Sequence, residues 1–310
     1  VFKEMKAAGK TSKNPIVEAF SDKSNIRNVL VALFGVAAGL TVVYYTSQFG
    51  TLYFLTGTAG VGERETLIYL AIAAVLAAPF YVLFGMLSDR IGRRKLLLIG
   101  YALSMLLLFP LFHLMAEGAN PALARATAAN PATLELPDCE FRIFARKQTE
   151  ECARALGFLS KRGVAYSRQQ ADSVALVVGD TRVEGFDEAG FAAALKAAGY
   201  PEKADPAEKQ RWKIVFAVFA IIVLSAMTYG QVAAILVELF PAKVRYTSMS
   251  VPYHIGTGYF GGFLPFIQQL IVVNTGNPFS GLWYTIGVVA MAFLVCLFWL
   301  PETKDRDITA

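Results

Sequence analysis

Six apolar stretches, each long enough to cross a lipid bilayer, constrain this chain more than any other feature. A helix that crosses the hydrocarbon core needs about 20 predominantly apolar residues. Composition agrees, because 55% of the 310 residues are hydrophobic and 17% are charged, against about a quarter charged in soluble proteins. The stretches lie at 28–56, 66–87, 96–115, 212–238, 251–273 and 280–300. The sequence therefore predicts an all-α polytopic membrane protein, with three spans in 28–115 and three in 212–300.

Basic residues outside the spans predict the orientation. Lys and Arg number 14 in the N-terminal segment, the loops after the second and fourth spans and the C-terminal tail, whereas the short loops 57–65 and 274–279 contain only Arg64. Such an excess is typical of cytoplasmic loops. We therefore expect a multi-pass protein of the plasma membrane, a bacterial inner membrane, with a cytoplasmic linker at 1–27 and a cytoplasmic tail at 301–310.

A polar segment, residues 116–211, interrupts the spans after the third and is expected on the exterior or periplasmic side. It contains 13 basic and 14 acidic residues, so its net charge is −1. Strand-like runs lie at Glu140–Phe144, Val174–Val178 and Thr181–Glu184, and helix-like runs at Thr149–Lys161 and Asp187–Ala198. We expect a small α+β extracytoplasmic insertion here, the alternative being a structureless loop of unusual length.

Two of the three cysteines lie in this insertion. Cys139 and Cys152, 13 positions apart, are a candidate disulfide, because small exterior domains with little apolar core are commonly cross-linked. Free thiols and a metal site are the alternatives. Neither a CxxC motif nor a nearby His supports a metal, so we expect none. Cys296, in the last span, is interpreted as a packing residue.

The loop between the second and third spans carries the most specific motif. It reads Gly85-Met86-Leu87-Ser88-Asp89-Arg90-Ile91-Gly92-Arg93-Arg94-Lys95. Glycine permits a close helix approach and a tight turn, and Asp89 can accept from the N–H groups at the start of a neighbouring helix. The arginines can pair with acids or with lipid phosphate.

This motif resembles the signature loop of the major facilitator superfamily. Two further segments are similar to that family: Glu238-Leu239-Phe240-Pro241, followed by Arg245, resembles the loop after its tenth helix, and Pro301-Glu302-Thr303-Lys304 the end of its twelfth. The run 238–262 resembles the metabolite:proton symporter group, which includes proline/betaine, shikimate and α-ketoglutarate carriers. The insertion departs from the family pattern, in which the corresponding loop is short.

The resemblance implies a fold and a function. The chain would be the carboxy-terminal half, helices seven to twelve, of a secondary active transporter that moves a small organic solute, an organic acid or osmolyte, by proton symport and alternating access. Its partners would be the solute, the bilayer and the missing amino-terminal six-helix half. It needs no cofactor besides the coupling proton.

Polar side chains inside the spans are the candidates for a substrate cavity. They are Thr41, Tyr45, Gln48, Ser225, Tyr229, Gln231, Tyr253 and Thr257. Thr41, Tyr45 and Gln48 are expected on one helix face. Each could instead bond a neighbouring helix backbone and never meet a solute. The spans contain no Asp, Glu, Lys or Arg away from their ends, so proton-coupling carboxylates are expected in the missing half. In the fifth span, clustered glycines before Pro265 predict a bend.

Residues at the cytoplasmic ends of the spans are predicted to act as a gate. The candidates are Gly85, Asp89, Arg90, Gly92, Arg93, Arg94, Glu238 and Arg245. Ion pairs among them would hold one state closed and break in the other, the alternative being that the charges only fix topology.

Other functions find less support. A membrane-anchored sensor or solute-binding module using the insertion is the alternative to a transporter, but a sensor needs a cytoplasmic output domain and the tail after Pro301 has nine residues. An enzyme is not expected, because no pair of acids or nucleophile constellation occurs in the insertion. Nucleic-acid binding is disfavoured because the polar segment is slightly acidic.

Overall fold

The computed structural model describes residues 14–139, 141–142, 145 and 148–306. Its helices are α1 (Pro15–Ser21), α2 (Lys23–Thr58), α3 (Glu63–Ile91), α4 (Arg93–Ala119), α5 (Pro121–Ala129), α6 (Glu151–Lys161), α7 (Glu188–Ala197), α8 (Arg211–Tyr229), α9 (Val232–Leu239), α10 (Arg245–Gly256), α11 (Leu264–Thr275) and α12 (Leu282–Trp299). Its strands are β1 (Ala132–Leu136), β2 (Tyr166–Gln170), β3 (Ala175–Val178) and β4 (Thr181–Glu184). The described part of the chain is therefore mostly helical.

Five helical stretches are long and apolar enough to cross a membrane, judged by length and composition among the described residues. They are α2, α3, α4, the pair α8 and α9 (Arg211–Leu239), and α12. They cover five of the six predicted spans. The protein is thus built around several apolar helices, as a polytopic membrane protein requires.

The predicted span 251–273 lies in α10, a π-helical turn and α11, with an interruption at Gly262 and Phe263. Helix α10 continues as a π-helical turn at Thr257–Gly261, the chain turns at Gly262 and Phe263, and α11 starts at Leu264. Pro265 occupies the first turn of α11, where its missing N–H costs no hydrogen bond. Gly262 and Phe263 keep right-handed helical dihedral angles, and Phe263 N–H donates to the Tyr259 carbonyl at 3.4 Å, so the helix is interrupted here without a reversal of the chain.

Helix α2 contains three π-helical segments, Val31–Ala37, Thr46–Gly50 and Phe54–Thr58. A π-turn holds more residues than an α-turn, so side chains beyond each segment are rotated away from the face that regular α-helical spacing predicts. This rotation affects the polar residues of the first span.

Close backbone approaches hold the apolar helices together. Tyr101 of α4 is fully buried, and its hydroxyl donates to the carbonyls of Gly35 and Val36, at 2.8 and 3.1 Å. A Cβ on Gly230, at the end of α8, would lie 2.8 Å from the carbonyl oxygen of Tyr81 in α3. Glycine at position 230 therefore allows α8 to touch α3.

Residues between α4 and α8 form a small α+β unit. Its sheet has the strand order β2-β1-β3-β4, in which β1 and β2 are parallel and the other pairs antiparallel. Helix α6 makes the crossover between the parallel strands, and Gly179, at a φ of 55°, forms the turn between β3 and β4. Of the strand predicted at Glu140–Phe144, residues 140, 143 and 144 lie outside the described part.

A disulfide joins Cys139 to Cys152, with the two Cα atoms 6.2 Å apart. Cys152 lies in the first turn of α6 and is buried in the core of the α+β unit. The bond therefore ties the segment after β1 to α6. Cys296 is a buried free thiol in α12.

The α+β unit is attached to α11 through both backbone and core. Tyr166 N–H donates to the Gly276 carbonyl at 2.9 Å, and its hydroxyl donates to the Val273 carbonyl at 2.7 Å. Val273 is fully buried within the core of the unit. Gly163, before β2, lies so close to the Thr58 backbone that a Cβ there would collide with it. The unit thus contacts the ends of both α2 and α11.

Candidate functional site

Charged side chains gather where α3, α9 and α12 end and α4 and α10 begin. We call this region the charged end and define it as residues 85–94, 238–245 and 302–306. The α+β unit lies at the other end of the same helices, because α3 runs from Glu63 to the charged end and α4 returns from it. We call this other end the domain end. It consists of residues 163–168 of the α+β unit and the residues that they contact, Thr58 of α2 and residues 273–276 at the end of α11.

Arg93 is the centre of the charged end. Its side chain is 11% exposed, and it pairs with Asp89 of α3 and, at 3.1 Å, with Glu238 of α9. It also donates to Ser88 Oγ at 2.6 Å. Glu238 is likewise 11% exposed and accepts a hydrogen bond from Thr303 Oγ1 at 2.6 Å. One guanidinium therefore holds the end of α9 against the loop between α3 and α4, and its planar fork suits two carboxylates.

Glu302 completes the start of α4. Its Oε1 accepts from Arg93 N–H at 2.8 Å and from Thr303 N–H at 3.0 Å. Gly92 has a φ of 108°, and a Cβ there would collide with the Glu302 carboxylate. The acid that meets a helix N-terminus is therefore Glu302, whereas Asp89, considered for this role from the sequence, pairs with Arg93.

The remaining gate candidates bond to backbone. Arg94 Nε donates to the Cys296 carbonyl at 3.2 Å, and Arg245 Nε to the Phe240 carbonyl at 3.0 Å. The Arg90 carbonyl accepts from Lys304 Nζ at 3.3 Å. Gly85 faces the Gly230 carbonyl, which would lie 3.5 Å from an added Cβ. These contacts fix the helix ends around Arg93.

Tyrosines from four helices meet in the middle of the bundle. Tyr229 Oη lies 2.6 Å from Tyr253 Oη, and the Tyr229 ring lies 5.5 Å from Tyr44 and 6.3 Å from Tyr81, measured between centroids. Tyr45 lies beside Tyr44, with centroids 6.0 Å apart. The structure thus brings together two predicted cavity residues, Tyr229 and Tyr253, whereas the ring of Tyr45 also lies 5.3 Å from that of Phe49.

Gln231 occupies the break between α8 and α9. It is 1% exposed, and neither its amide nitrogen nor its amide oxygen has a hydrogen-bond partner among the described residues. Burying an amide without partners costs about 1–3 kcal/mol for each unsatisfied group. Such a cost is typical of a position whose partner comes from elsewhere, as from a second protein segment, a water molecule or a bound polar molecule.

The other predicted cavity residues are distributed along the spans. Thr41 Oγ1 and Thr257 Oγ1 lie 3.3 Å apart and link α2 to the π-turn after α10. Ser225 is fully buried in α8. Gln48 is half-buried, and its amide lies 3.5 Å from Ser47 Oγ. It lies within the π-helical segment Thr46–Gly50, which changes its direction relative to Thr41 and Tyr45.

Sequence reasoning missed several residues of this site. Tyr44 and Tyr81 belong to the tyrosine cluster, and a count of tyrosines in the spans would have included them. Thr285 bonds to Thr46 at 2.8 Å and accepts from Gln268 Nε2 at 3.1 Å, which makes a second polar cluster. The sequence gives no sign of that cluster, because its members come from three distant segments.

Comparison with known protein families gives two matches. The family described as Major Facilitator Superfamily matches residues 3–124, and the family described as Sugar (and other) transporter matches residues 189–310. The unmatched interval between them lies within the α+β unit. No solved structure matches the chain.

Curated relatives are similar over shorter lengths. A Staphylococcus aureus protein named for proline/betaine transport is 27% identical over 95 residues, which are 31% of this chain and 20% of the relative. An inner membrane metabolite transport protein of Escherichia coli K12 is 33% identical over 97 residues, 31% of this chain and 21% of the relative. A citrate-proton symporter of Klebsiella pneumoniae is 32% identical over 71 residues, which are 23% of this chain and 16% of the relative. The matched part of the chain thus spans about a fifth of these relatives.

Proposed function

Since the chain belongs to the major facilitator superfamily, we propose that it is the carboxy-terminal six-helix half of a secondary active transporter. The complete carrier moves a small organic solute, an organic acid or an osmolyte, together with protons. The relatives that support this proposal are named as transporters, and none of the names given above is that of an enzyme.

The observation that carries the proposal is the shared pairing of Arg93 with Asp89 and Glu238 at the charged end. Glu238 lies near the end of α9, a helix of eight residues separated from α8 by Gly230 and Gln231. A short helix with a break at one end and an ion pair at the other has two natural arrangements, paired and released. Alternating access proceeds by rocking or gating of one helix bundle against the other, and the Arg93 pairs bias that equilibrium by the free energy that differs between the two states.

The polar middle of the bundle supplies groups that suit a small polar solute. Tyr229 and Tyr253 present hydroxyls, Gln231 presents an amide, and Thr41 and Thr257 lie on the neighbouring helices. A cavity of this type orients a solute through a few polar groups within largely apolar walls. Ser225, Tyr45 and Gln48 are the remaining members of the proposed cavity.

Proton coupling is assigned to the amino-terminal half. The six predicted spans contain no Asp, Glu, Lys or Arg away from their ends, and carboxylates inside the membrane are the usual proton carriers. The charged end lies on the cytoplasmic side of a bacterial inner membrane and the α+β unit on the periplasmic side. The distribution of Lys and Arg supports this orientation.

Uptake into proteoliposomes tests the proposal. The complete carrier is reconstituted with and without an inward proton gradient and offered proline, glycine betaine and citrate. We expect a gradient-dependent uptake of at least one solute. In Asp89→Asn the uptake falls several-fold at an unchanged amount of inserted protein, because Arg93 then loses a charged partner.

Asp305→Asn is the matched control. Asp305 lies at the same end, but its side chain is 85% exposed and 3.9 Å from Lys304, a contact of little energetic weight. Its uptake should equal that of the wild type. If no solute moves under either condition, transport of this solute class is contradicted. Wild-type uptake by Asp89→Asn would contradict the gate.

A further inference from the structure

A groove in the α+β unit, remote from the tyrosine cluster, combines positive charge with aromatic rings. It encloses about 600 Å³ between α6 and the segment that follows β1. The described residues that line it include Arg154, Lys161 and Arg162, the rings of Phe141 and Phe158, and one acid, Glu188. The groove is therefore basic within a segment whose net charge is −1.

One face of α6 forms the floor of this groove. Arg154, Gly157, Phe158 and Lys161 follow the spacing i, i+3, i+4 and i+7, which puts them on a single stripe of a helix. At 1.5 Å per residue, the Cα atoms of Arg154 and Lys161 lie about 10 Å apart along the helix axis. Two cations thus lie at the two ends of an apolar strip whose length is that of a small organic molecule.

None of the three cations has a carboxylate partner within ion-pair distance in the part of the chain that the structure describes. The Arg162 guanidinium lies 4.5 Å from the centroid of Phe158, and that of Arg154 lies 4.9 Å from the centroid of Phe186. Stacking on rings holds the arginines in place and leaves their N–H groups free to donate. Two other arginines of the unit, Arg125 and Arg182, pair with carboxylates.

Gly157 has no packing reason to be glycine. It lies inside α6, where glycine costs about 0.5–1 kcal/mol relative to alanine. A Cβ there would lie 3.4 Å from the Phe141 ring, an ordinary contact. An alanine would therefore fit, and what glycine adds is space on the floor of the groove between the two cations.

The disulfide shapes the opposite wall. Cys139 is bonded to Cys152 at the start of α6, so Phe141 is held within two residues of a covalent attachment. The Gln148 amide donates to the Arg142 carbonyl at 2.6 Å. Phe141 lines the groove together with the face of α6 that carries the cations.

From this arrangement we propose that the groove is a binding site for a small organic dianion with an apolar or aromatic centre. Its two carboxylates are bound by Arg154 and by Lys161 with Arg162, and its centre lies over Gly157 between Phe141 and Phe158. The site is separate from the proposed transport cavity. Binding there does not depend on transport.

Terephthalate is a suitable probe, because it has two carboxylates on opposite sides of a planar ring. Its binding to the whole chain in phosphatidylcholine nanodiscs is measured by titration calorimetry. We expect saturable binding that weakens with added salt, weaker binding of benzoate, and none of the neutral terephthalamide. Arg154→Gln and Lys161→Gln should each weaken the binding of terephthalate at least fivefold.

Two controls separate this site from general effects of charge and folding. Lys196→Gln removes a cation from an exposed position of α7 outside the groove. The affinity of this variant for terephthalate should equal that of the wild type. Gly157→Leu fills the floor of the groove and should abolish terephthalate binding. The Cys139–Cys152 bond should remain in this variant, as measured by alkylation of the thiols with and without reductant. Equal affinities in Arg154→Gln, Lys161→Gln and Lys196→Gln would overturn the proposal.

The anionic headgroup of a lipid offers the same chemistry from another source. Nanodiscs that also contain phosphatidylglycerol test this, because a lipid occupant would displace the probe. Undiminished terephthalate binding in these discs supports the soluble dianion. Loss of binding in these discs, or equal binding of terephthalamide, contradicts it.

Discussion

The charged end and the domain end hold the same helices by different physical means. At the charged end, side chains make the connections, as Arg93 pairs with Asp89 and Glu238. At the domain end, Tyr166 binds backbone carbonyls and Val273 is buried in the core of the α+β unit. Arg93 has two carboxylate partners, and one of them, Asp89, is 61% exposed, so its pairs can rearrange when the helices move. A buried apolar contact cannot open without exposing its core to water. The comparison predicts a charged end that opens and a domain end that moves as one body with α11.

The largest effect is expected when a charge enters the domain end. Val273→Asp places a carboxylate in the apolar core of the α+β unit, at a cost of several kcal/mol. The unit should detach from α11, so that limited proteolysis cleaves it at protease concentrations that leave the wild type intact. Asn274→Asp, at the exposed neighbouring position, should behave as the wild type. If Val273→Asp resists the protease as well as the wild type does, the contact between the α+β unit and α11 contributes little to stability.

A smaller effect is expected from the turn at the charged end. Gly92→Ala must adopt a φ of 108° and move the Glu302 carboxylate, so it should lower the free energy of unfolding by about 2 kcal/mol. Gly62→Ala is the matched control, because Gly62 has a φ of −58° and nothing lies near its added Cβ. Thermal unfolding in detergent measures both. Equal melting temperatures would mean that the turn is not strained by a side chain.

The smallest effect concerns a partly exposed ion pair inside the α+β unit. A hydrogen bond from Arg182, at 2.7 Å, together with the charge of Arg182, lowers the pKa of Glu135. Its stabilisation is present above the pKa of an unfolded Glu, about 4.3, and is lost as the pH falls through the lower folded value. We expect Glu135→Gln to reduce slightly the stability that the unit loses below pH 5. Circular dichroism measures this loss as the pH is lowered. Glu202→Gln, at an exposed loop position, should retain it.

Apolar length predicted most of the helical framework because the bilayer imposes it. Residues 66–87 and 96–115 lie within α3 and α4, which extend a few residues beyond them. The interruption of the predicted span 251–273 could not be located from the sequence, because glycines are compatible both with a packed helix and with a turn. The register of Gln48 was equally hidden, since nothing in the sequence marks the π-turn at Thr46–Gly50.

Within the α+β unit the difference between strands is instructive. β4 coincides with its predicted run, and β3 starts one residue later than predicted. β1, which was not predicted, alternates buried and half-buried residues. β2 reads Tyr-Ser-Arg-Gln-Gln, which has no apolar alternation, and it is held by parallel pairing with β1 and by the Gly276 carbonyl. Such an edge strand depends on distant partners and cannot be recognised locally.

At the charged end the sequence named the residues but not their pairing. The sequence alone does not distinguish Arg90, Arg93 and Arg94. In the structure Arg93, the first residue of α4 after Gly92, is the arginine that pairs with Glu238. Glu302 and Thr303 carried a family resemblance but no expected role, because their contacts with Arg93 and Glu238 span more than 60 residues of chain.

Distances between paired spin labels test the difference between the two ends most directly. In a Cys296→Ala background, labels at Lys95 and Pro241 report on the charged end, and labels at Asp180 and Asn274 on the domain end. We predict that Arg93→Ala lengthens and broadens the distances at the charged end and leaves those at the domain end unchanged. Unchanged distances at the charged end, or a shift at the domain end of equal size, would contradict this account.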